Sequence, residues 1–145
     1  MTLAPEAMTF RILLVEDNAA DSYLFRQALE IIGLSFELAV IQDGDEALAF
    51  AQSSPKHSAT GIPDLLVLDL NLPKVAGCRI LEAVRQNPDL AQVAVAIMTS
   101  SEAPQDHERC TALGISAYIV KPLDLEDFLR IGEMVKKILA ESKDP

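Results

Sequence analysis

Apolar positions along this chain fall into short continuous runs, and four of the runs are followed directly by a polar side chain. The runs and the polar residues are 12–15 before Glu16 and Asp17, 65–68 before Asp69, 93–98 before Thr99, and 117–120 before Lys121. Runs of this length, separated by segments with helical periodicity, are typical of parallel strands covered on both faces. The pattern predicts an α/β domain in which strands and helices alternate.

The remaining segments complete a pattern of five strands and five helices. A further strand is predicted at 36–41, and helical periodicity follows Asn18 or Asp21, occupies 43–52, 77–87 and 104–113, and follows Asp124. Segment 104–113 has little apolar surface to anchor it, so it is the helix expected to move. Residues 53–63 form an unusually long polar loop.

The polar residues also select the order of the strands. They follow strands one, three, four and five, which are neighbours in the flavodoxin-like order 2-1-3-4-5 and are separated in the order 3-2-1-4-5. We therefore predict a doubly wound five-stranded parallel sheet. Right-handed crossovers place helices one and five on one face and helices two, three and four on the other.

Length and composition indicate one domain without a nucleic-acid or membrane partner. The 145 residues suit a single domain at 10–142 with a flexible tail at 1–9 and no output domain. A net charge of -10 without a Lys/Arg cluster argues against a phosphate-backbone partner, and we find no signal peptide or membrane anchor. Cys78 and Cys110 lack metal-ligand spacing, which favours small buried hydrophobes and a reducing, cytoplasmic setting.

The predicted site has the composition of a phosphoryl-transfer centre. Because the carboxyl ends of parallel strands share one edge, Glu16, Asp17 and Asp69 meet there, and a cation must screen their repulsion. A small set of hard oxygen ligands favours Mg²⁺. Asp69 can then act as a nucleophile toward phosphorus, while Lys121 and Thr99 neutralise and hydrogen-bond the phosphoryl oxygens.

Four segments resemble the receiver domain of two-component response regulators, and the likeness extends over nearly the whole chain from Phe10. The segments are 12–18 (ILLVEDN), 63–73 (PDLLVLDLNLP), 98–100 (MTS) and 118–122 (YIVKP). Among receivers, the chain looks most like the stand-alone phytochrome-associated regulators. The features that carry this likeness are the Glu-Asp-Asn start, the Asp-Leu-Asn-Leu-Pro segment, the long loop and the chain length.

The resemblance implies a role for each site residue. It makes Asp69 the phosphoacceptor and assigns the metal to Asp17, Asp69 and the backbone carbonyl of Asn71, with Glu16 reaching it through water. It assigns Thr99 and Lys121 to the phosphoryl group. It further implies that Tyr118 is an aromatic switch that turns inward with Thr99, and that the peptide bond from Lys121 to Pro122 is cis.

The resemblance also implies a signalling role and a partner. The chain would take a phosphoryl group from a sensor histidine kinase, including a phytochrome-type kinase, or from a histidine phosphotransfer protein. It would then change the surface of its fourth helix, fifth strand and fifth helix. Output would reach another protein, a homodimer or a further phosphotransfer step, without enzymatic activity beyond slow self-dephosphorylation.

Two alternatives stay open from the residues. A haloacid-dehalogenase-type phosphohydrolase also uses a strand-end Asp with Mg²⁺, but it needs a general acid two residues later, where this chain has Asn71. It also needs a cap domain, for which no segment is left. A receiver-like binding module that is never phosphorylated would usually have an incomplete site, whereas the site residues here are all present.

Overall fold

The chain was analysed as a computed structural model that describes residues 8–58 and 61–143. Most of the predicted tail at 1–9 therefore lies outside the described residues. Five strands are present: β1 (Phe10–Val15), β2 (Phe36–Ile41), β3 (Leu65–Leu68), β4 (Ala94–Thr99) and β5 (Ala117–Val120). All pair in parallel in the order β2-β1-β3-β4-β5, which confirms the predicted flavodoxin-like sheet.

The helices follow the strands as the periodicity predicted. They are α1 (Ala19–Ile31), α2 (Gly44–Ala51), α3 (Gly77–Gln86), α4 (Pro104–Leu113), α5 (Leu125–Leu129) and α6 (Ile131–Lys143). The last two form the predicted fifth helix, which is divided at Arg130. The long loop contains a 3₁₀ turn at Pro55–His57, which the sequence pattern did not predict.

Side chains at the helix starts explain where two of the helices begin. The Asn18 side chain accepts a hydrogen bond from the Asp21 amide at 3.1 Å, and the Asp124 side chain accepts one from the Glu126 amide. Such caps satisfy backbone donors that lack partners within the helix. Of the two candidate caps for α1, Asn18 is the one used, which leaves the Asp21 carboxylate free for another contact.

Two apolar cores lie on opposite faces of the sheet. Leu13, Leu66 and Val95 point toward α2, α3 and α4, whereas Leu14, Val67 and Ala96 point toward α1, α5 and α6. This is the distribution of helices that right-handed crossovers predict. The site therefore stands at the strand ends between two packed layers.

Arg85 at the end of α3 fastens the end of α4 to the body of the domain. Its guanidinium donates hydrogen bonds to four backbone carbonyls, those of Ala91, Val93, Leu113 and Gly114. Cys78 on α3 and Cys110 on α4 are also in contact, with 3.7 Å between their sulfur atoms, and both are free and buried as predicted.

The backbone tests the predicted cis peptide bond. No peptide bond among the described residues is cis, so the predicted cis bond before Pro122 is wrong; the trans isomer is the lower-energy form of an X–Pro bond. In the part of the chain that the structure describes, none of the helices is long and apolar enough to cross a membrane.

Candidate functional site

The carboxyl ends of the central strands bring the predicted acidic residues together. Glu16 and Asp17 follow β1, Asp69 follows β3, and one carboxylate oxygen from each lies within 4.8 Å of the others. Glu16 is fully buried and Asp69 is 4 % exposed, whereas Asp17 faces solvent. Three carboxylates are therefore concentrated in a half-buried pocket, with one side open.

Lys121, at the end of β5, supplies the positive charge that balances part of this cluster. Its Nζ lies 2.6 Å from Glu16 Oε1, 2.9 Å from Asp69 Oδ2 and 2.8 Å from Asp21 Oδ2. Burial alone would lower the pKa of Lys121, but its contacts with the carboxylates of Asp21, Glu16 and Asp69 raise it above its usual value. The ammonium is therefore fixed in its charged form.

Asp69 is held ionised and oriented. Its Oδ1 accepts a hydrogen bond from the Asn71 backbone amide at 3.0 Å, and its Oδ2 accepts one from Lys121. Burial alone would raise the pKa of Asp69, but these two hydrogen bonds outweigh burial and the pKa lies below its usual value. A buried, ionised and oriented carboxylate is a suitable nucleophile.

Glu16 differs from Asp69 although both are buried. Burial raises the pKa of Glu16 to about 7, and the nearby Asp69 charge contributes to the rise while Lys121 opposes it. Its Oε2 accepts a hydrogen bond from the Asn18 amide, but its buried Oε1 receives no aligned hydrogen bond despite the closeness of Lys121. A buried acidic oxygen of this kind suits a nearby cation.

The hydroxyl of Thr99 connects the acidic cluster to the loop before α4. Thr99 is fully buried at the end of β4, and its Oγ1 lies 3.4 Å from Asn71 Nδ2 and accepts a hydrogen bond from the Ser101 amide at 3.3 Å. Ser101 in turn donates its hydroxyl to Asp106 on α4 at 2.5 Å. Two hydrogen bonds through Ser101 therefore connect Thr99 to the first turn of α4.

Tyr118 is also in contact with this loop. Its hydroxyl donates to the Ser101 carbonyl at 3.0 Å, and its ring packs on the His107 ring with 4.6 Å between centroids. Burial raises the pKa of Tyr118. The predicted switch residues Thr99 and Tyr118 thus meet at Ser101.

Gly77 allows α3 to begin directly against the backbone that carries Asp69. A Cβ atom at this position would lie 2.5 Å from the Asp69 carbonyl oxygen and 2.6 Å from Leu70 Cα. The Gly77 amide also donates to the Leu70 carbonyl. The absence of a side chain at Gly77 is therefore part of what positions Asp69.

The structure groups the side chains of Glu16, Asp17, Asp69 and Lys121 in one cluster. Thr99 is in contact with Asn71, and Tyr118 is joined to Thr99 through Ser101.

Two further side chains belong to these contacts although the sequence reasoning did not assign them to the site. Asp21 contacts Lys121, and Ser101 connects Thr99 and Tyr118 to α4. Asp21 lies in the first turn of α1, whereas Asp17 precedes the helix cap Asn18. The signal for Asp21 was its acidic side chain in the first turn of a helix that follows the site. Ser101, two residues after Thr99, lies outside the helices and strands and had no helical periodicity.

Comparison with known proteins finds the same fold in relatives with related sequences. Residues 12–132 match the response regulator receiver domain family. Response regulator Rcp1 of Synechocystis sp. (strain ATCC 27184 / PCC 6803 / Kazusa) is 34 % identical over 131 residues, which cover 90 % of this chain and 89 % of Rcp1.

Two solved structures superpose closely on the chain. One is the Mn²⁺-bound form of Rcp1, with a TM-score of 0.78 and 34 % identity over 88 % of this chain and 92 % of that one. The other is the phosphorylated cyanobacterial phytochrome response regulator RcpA, with a TM-score of 0.82 and 30 % identity over 94 % of this chain and 98 % of that one. Receiver domains are signalling proteins that histidine kinases phosphorylate. With this fold and these matches, the chain belongs to the response regulator receiver domain family, and its relatives include phytochrome-associated regulators.

Proposed function

We propose that the chain accepts a phosphoryl group on Asp69 and relays the signal by a change of conformation. One observation carries this proposal: the buried Asp69 carboxylate is 2.9 Å from the Lys121 ammonium and is grouped with Glu16 and Asp17. This arrangement combines a nucleophile, a fixed positive charge and an acidic cation site. The comparisons lend no support to the hydrolase or the unphosphorylated module.

The donor is a phosphohistidine on a histidine kinase or a histidine phosphotransfer protein. A carboxylate oxygen of Asp69 forms a bond to phosphorus while the bond between phosphorus and the imidazole nitrogen breaks. The electron pair of that bond leaves with the imidazole, which then takes up a proton. In this proposal Lys121, which donates to Asp69, and Thr99, which is in contact with Asn71, stabilise the negative charge on the equatorial phosphoryl oxygens. Slow hydrolysis of the acyl phosphate resets the protein.

Glu16, Asp17 and Asp69 fit Mg²⁺, with the Asn71 carbonyl as the further proposed ligand. The donor set consists of hard oxygens, the buried Glu16 Oε1 lacks an aligned hydrogen bond, and Asp17 leaves one side open to water. When bound, Mg²⁺ supplies charge neutralisation between the carboxylates and a phosphate oxygen. The Mn²⁺-bound form of Rcp1 supports the presence of a divalent-cation site in a relative.

The signal leaves through α4, β5 and α5. Thr99 moves toward the phosphoryl group, the Ser101 contacts change, and Tyr118 turns inward. Val120, Leu123 and Leu125 are already exposed on this side, so a change in α4 alters a surface that is partly apolar. A partner protein or a second copy of the chain binds this surface.

The relatives suggest which kinase donates the phosphoryl group, and the free cysteines suggest the cellular compartment. A phytochrome-type histidine kinase is the proposed donor, because RcpA is a phytochrome response regulator of similar sequence. Cys78 and Cys110 are free thiols, which suits the cytoplasm. Residues 10–142 form the receiver unit.

A mass measurement tests the phosphoacceptor. The protein is incubated with Mg²⁺ and acetyl phosphate, and intact-mass spectrometry with peptide mapping locates the adduct. We expect one hydroxylamine-labile phosphoryl group on Asp69. Asp69→Asn, which preserves size and removes the nucleophilic charge, should lose it completely, whereas Asp64→Asn at the opposite edge of the sheet should retain it.

Two results would contradict the proposal. One is a wild-type protein that remains unmodified under conditions in which it binds Mg²⁺. The other is an adduct that persists in Asp69→Asn at the same site. Steady release of phosphate from many phosphate esters would instead identify a hydrolase.

A further inference from the structure

Asp21 contacts the site from α1 although it is not among the residues that the family resemblance assigned to it. Its Oδ2 lies 2.8 Å from Lys121 Nζ, and its side chain is 21 % exposed. The residue stands in the first turn of α1, where Asn18 accepts a hydrogen bond from its amide. The positive end of the helix dipole stabilises a carboxylate at such a position.

Three carboxylates surround the Lys121 ammonium. Glu16, Asp21 and Asp69 each place one oxygen within 2.9 Å of Nζ. Asp21 and Asp69 each accept a hydrogen bond from Nζ, whereas Glu16 Oε1 is close to it without an aligned hydrogen bond. A phosphoryl oxygen that binds Lys121 must therefore compete with these carboxylates for the positive charge.

Asp21 differs from the other two partners of Lys121 in one respect. Glu16 and Asp69 belong to the group that can hold a cation, together with Asp17, whereas Asp21 is not part of that group. A cation held by that group would compete with Lys121 for the oxygens of Glu16 and Asp69. Asp21 is the partner of Lys121 that lies outside this competition.

We propose that Asp21 is a positioning residue that holds Lys121 in the resting protein and competes with the phosphoryl group for its ammonium. This role depends on the phosphoacceptor function proposed above. The charge of Asp21 also adds to the negative potential of the acidic cluster. Asp21 therefore favours binding of the cation and disfavours accumulation of the phosphorylated form.

Loss of the Asp21 charge should change Mg²⁺ binding and the phosphorylated fraction in opposite directions. This distinguishes the proposed role from a purely structural contribution of Asp21 to packing. Removing the charge of Asp21 weakens the attraction for Mg²⁺, and it frees Lys121 for the phosphoryl oxygens. For a partly exposed ion pair such as that of Asp21 with Lys121, we expect changes of about threefold in each equilibrium. A loss of packing alone would instead weaken both.

Three variants and a control test the proposal. Asp21→Asn removes the charge and keeps the size, Asp21→Ala removes both, and Asp21→Glu restores the charge. Asp45→Asn on the first turn of α2 is the matched control, because it removes an exposed carboxylate that contacts Lys74 and not Lys121. All four are compared with the wild-type protein.

The first measurement follows Mg²⁺ binding without a phosphoryl donor, by NMR titration of ¹⁵N-labelled protein. The second follows the fraction of adduct on Asp69 with acetyl phosphate, at a Mg²⁺ concentration that saturates each variant. Asp21→Asn and Asp21→Ala should bind Mg²⁺ about threefold more weakly and reach about threefold more adduct relative to unmodified protein. Asp21→Glu should resemble the wild type, and Asp45→Asn should change neither quantity.

The inference on Asp21 and the proposed function fail in different ways. An unmodified wild-type protein rejects the phosphoacceptor function. Unchanged Mg²⁺ affinity in Asp21→Asn overturns the role of Asp21 whether or not an adduct forms. A lower adduct fraction in Asp21→Asn, or an effect shared by Asp45→Asn, overturns it as well.

Discussion

Helices α3 and α4 lie side by side on one face of the sheet, and they are held in different ways. Six residues of α3 are buried, which are Gly77, Cys78, Ile80, Leu81, Ala83 and Val84. On α4 the buried residue is Cys110. The rest of the attachment of α4 is polar: Arg85 at its end, the Ser101–Asp106 hydrogen bond at its start, and an ion pair between Arg109 and Glu82.

The difference separates a scaffold from a movable element. A movement of α3 would expose its buried apolar side chains to water. Burial of each large side chain contributes about 1.5–3 kcal/mol to the stability of the fold. Hydrogen bonds and exposed ion pairs can be exchanged for water at about 1 kcal/mol or less each. Helix α4 can therefore change position at low cost while α3 keeps Asp69 in place, and its movement on phosphorylation stays a prediction.

The largest expected effect comes from the core of α3. Leu81 is fully buried, so Leu81→Ala leaves a cavity and should lower the free energy of unfolding by about 2–5 kcal/mol. Leu113→Ala on the partly buried end of α4 should cost clearly less. Urea denaturation followed by circular dichroism measures both. Equal losses in the two variants would remove the distinction between the helices.

A smaller effect is expected where α3 meets the end of α4. Arg85→Met keeps the stem of the side chain and removes hydrogen bonds to four carbonyls, which should cost about 1–3 kcal/mol. Amide hydrogen exchange should accelerate in residues 110–116. The control is Arg79→Met, at an exposed position of the same helix. Unchanged exchange in Arg85→Met would show that α4 is held by other contacts.

The smallest effect on stability is expected at the start of α4. Ser101→Ala removes the hydroxyl that donates to Asp106 and accepts from the Ala103 amide, at a cost of about 1 kcal/mol or less. Hydrogen exchange should accelerate in residues 103–107 and stay the same in α3. Ser100→Ala, at the exposed neighbouring position, serves as the control. Faster exchange throughout the domain would show that Ser101 supports the fold as a whole.

The sequence predicted the parts of this molecule that depend on local pattern. Continuous apolar runs identify the strands because buried parallel strands tolerate few polar side chains, and the polar residues after them identify one edge of the sheet. The order of strands followed from which runs ended in polar groups. Asp69, Glu16 and Lys121 were found in this way.

Features that depend on tertiary contacts could not be predicted in the same way. The contact between Asp21 and Lys121 joins residues 100 positions apart, and Asp21 taken alone was a candidate helix cap. The division of the last helix at Arg130 and the 3₁₀ turn at Pro55–His57 carry no distinct pattern. The predicted cis bond came from resemblance alone, and the structure contradicts it.

The four carbonyls gathered by Arg85 have a mechanical consequence for α4. They fix the carboxyl end of that helix to the loop before β4, while its amino end is held by the Ser101–Asp106 hydrogen bond and by the packing of His107 on Tyr118. If the contacts at its amino end change, α4 would therefore rotate about its carboxyl end rather than translate. A small displacement at Thr99 would thus move the first turn of α4 further than the end of the helix that Arg85 holds.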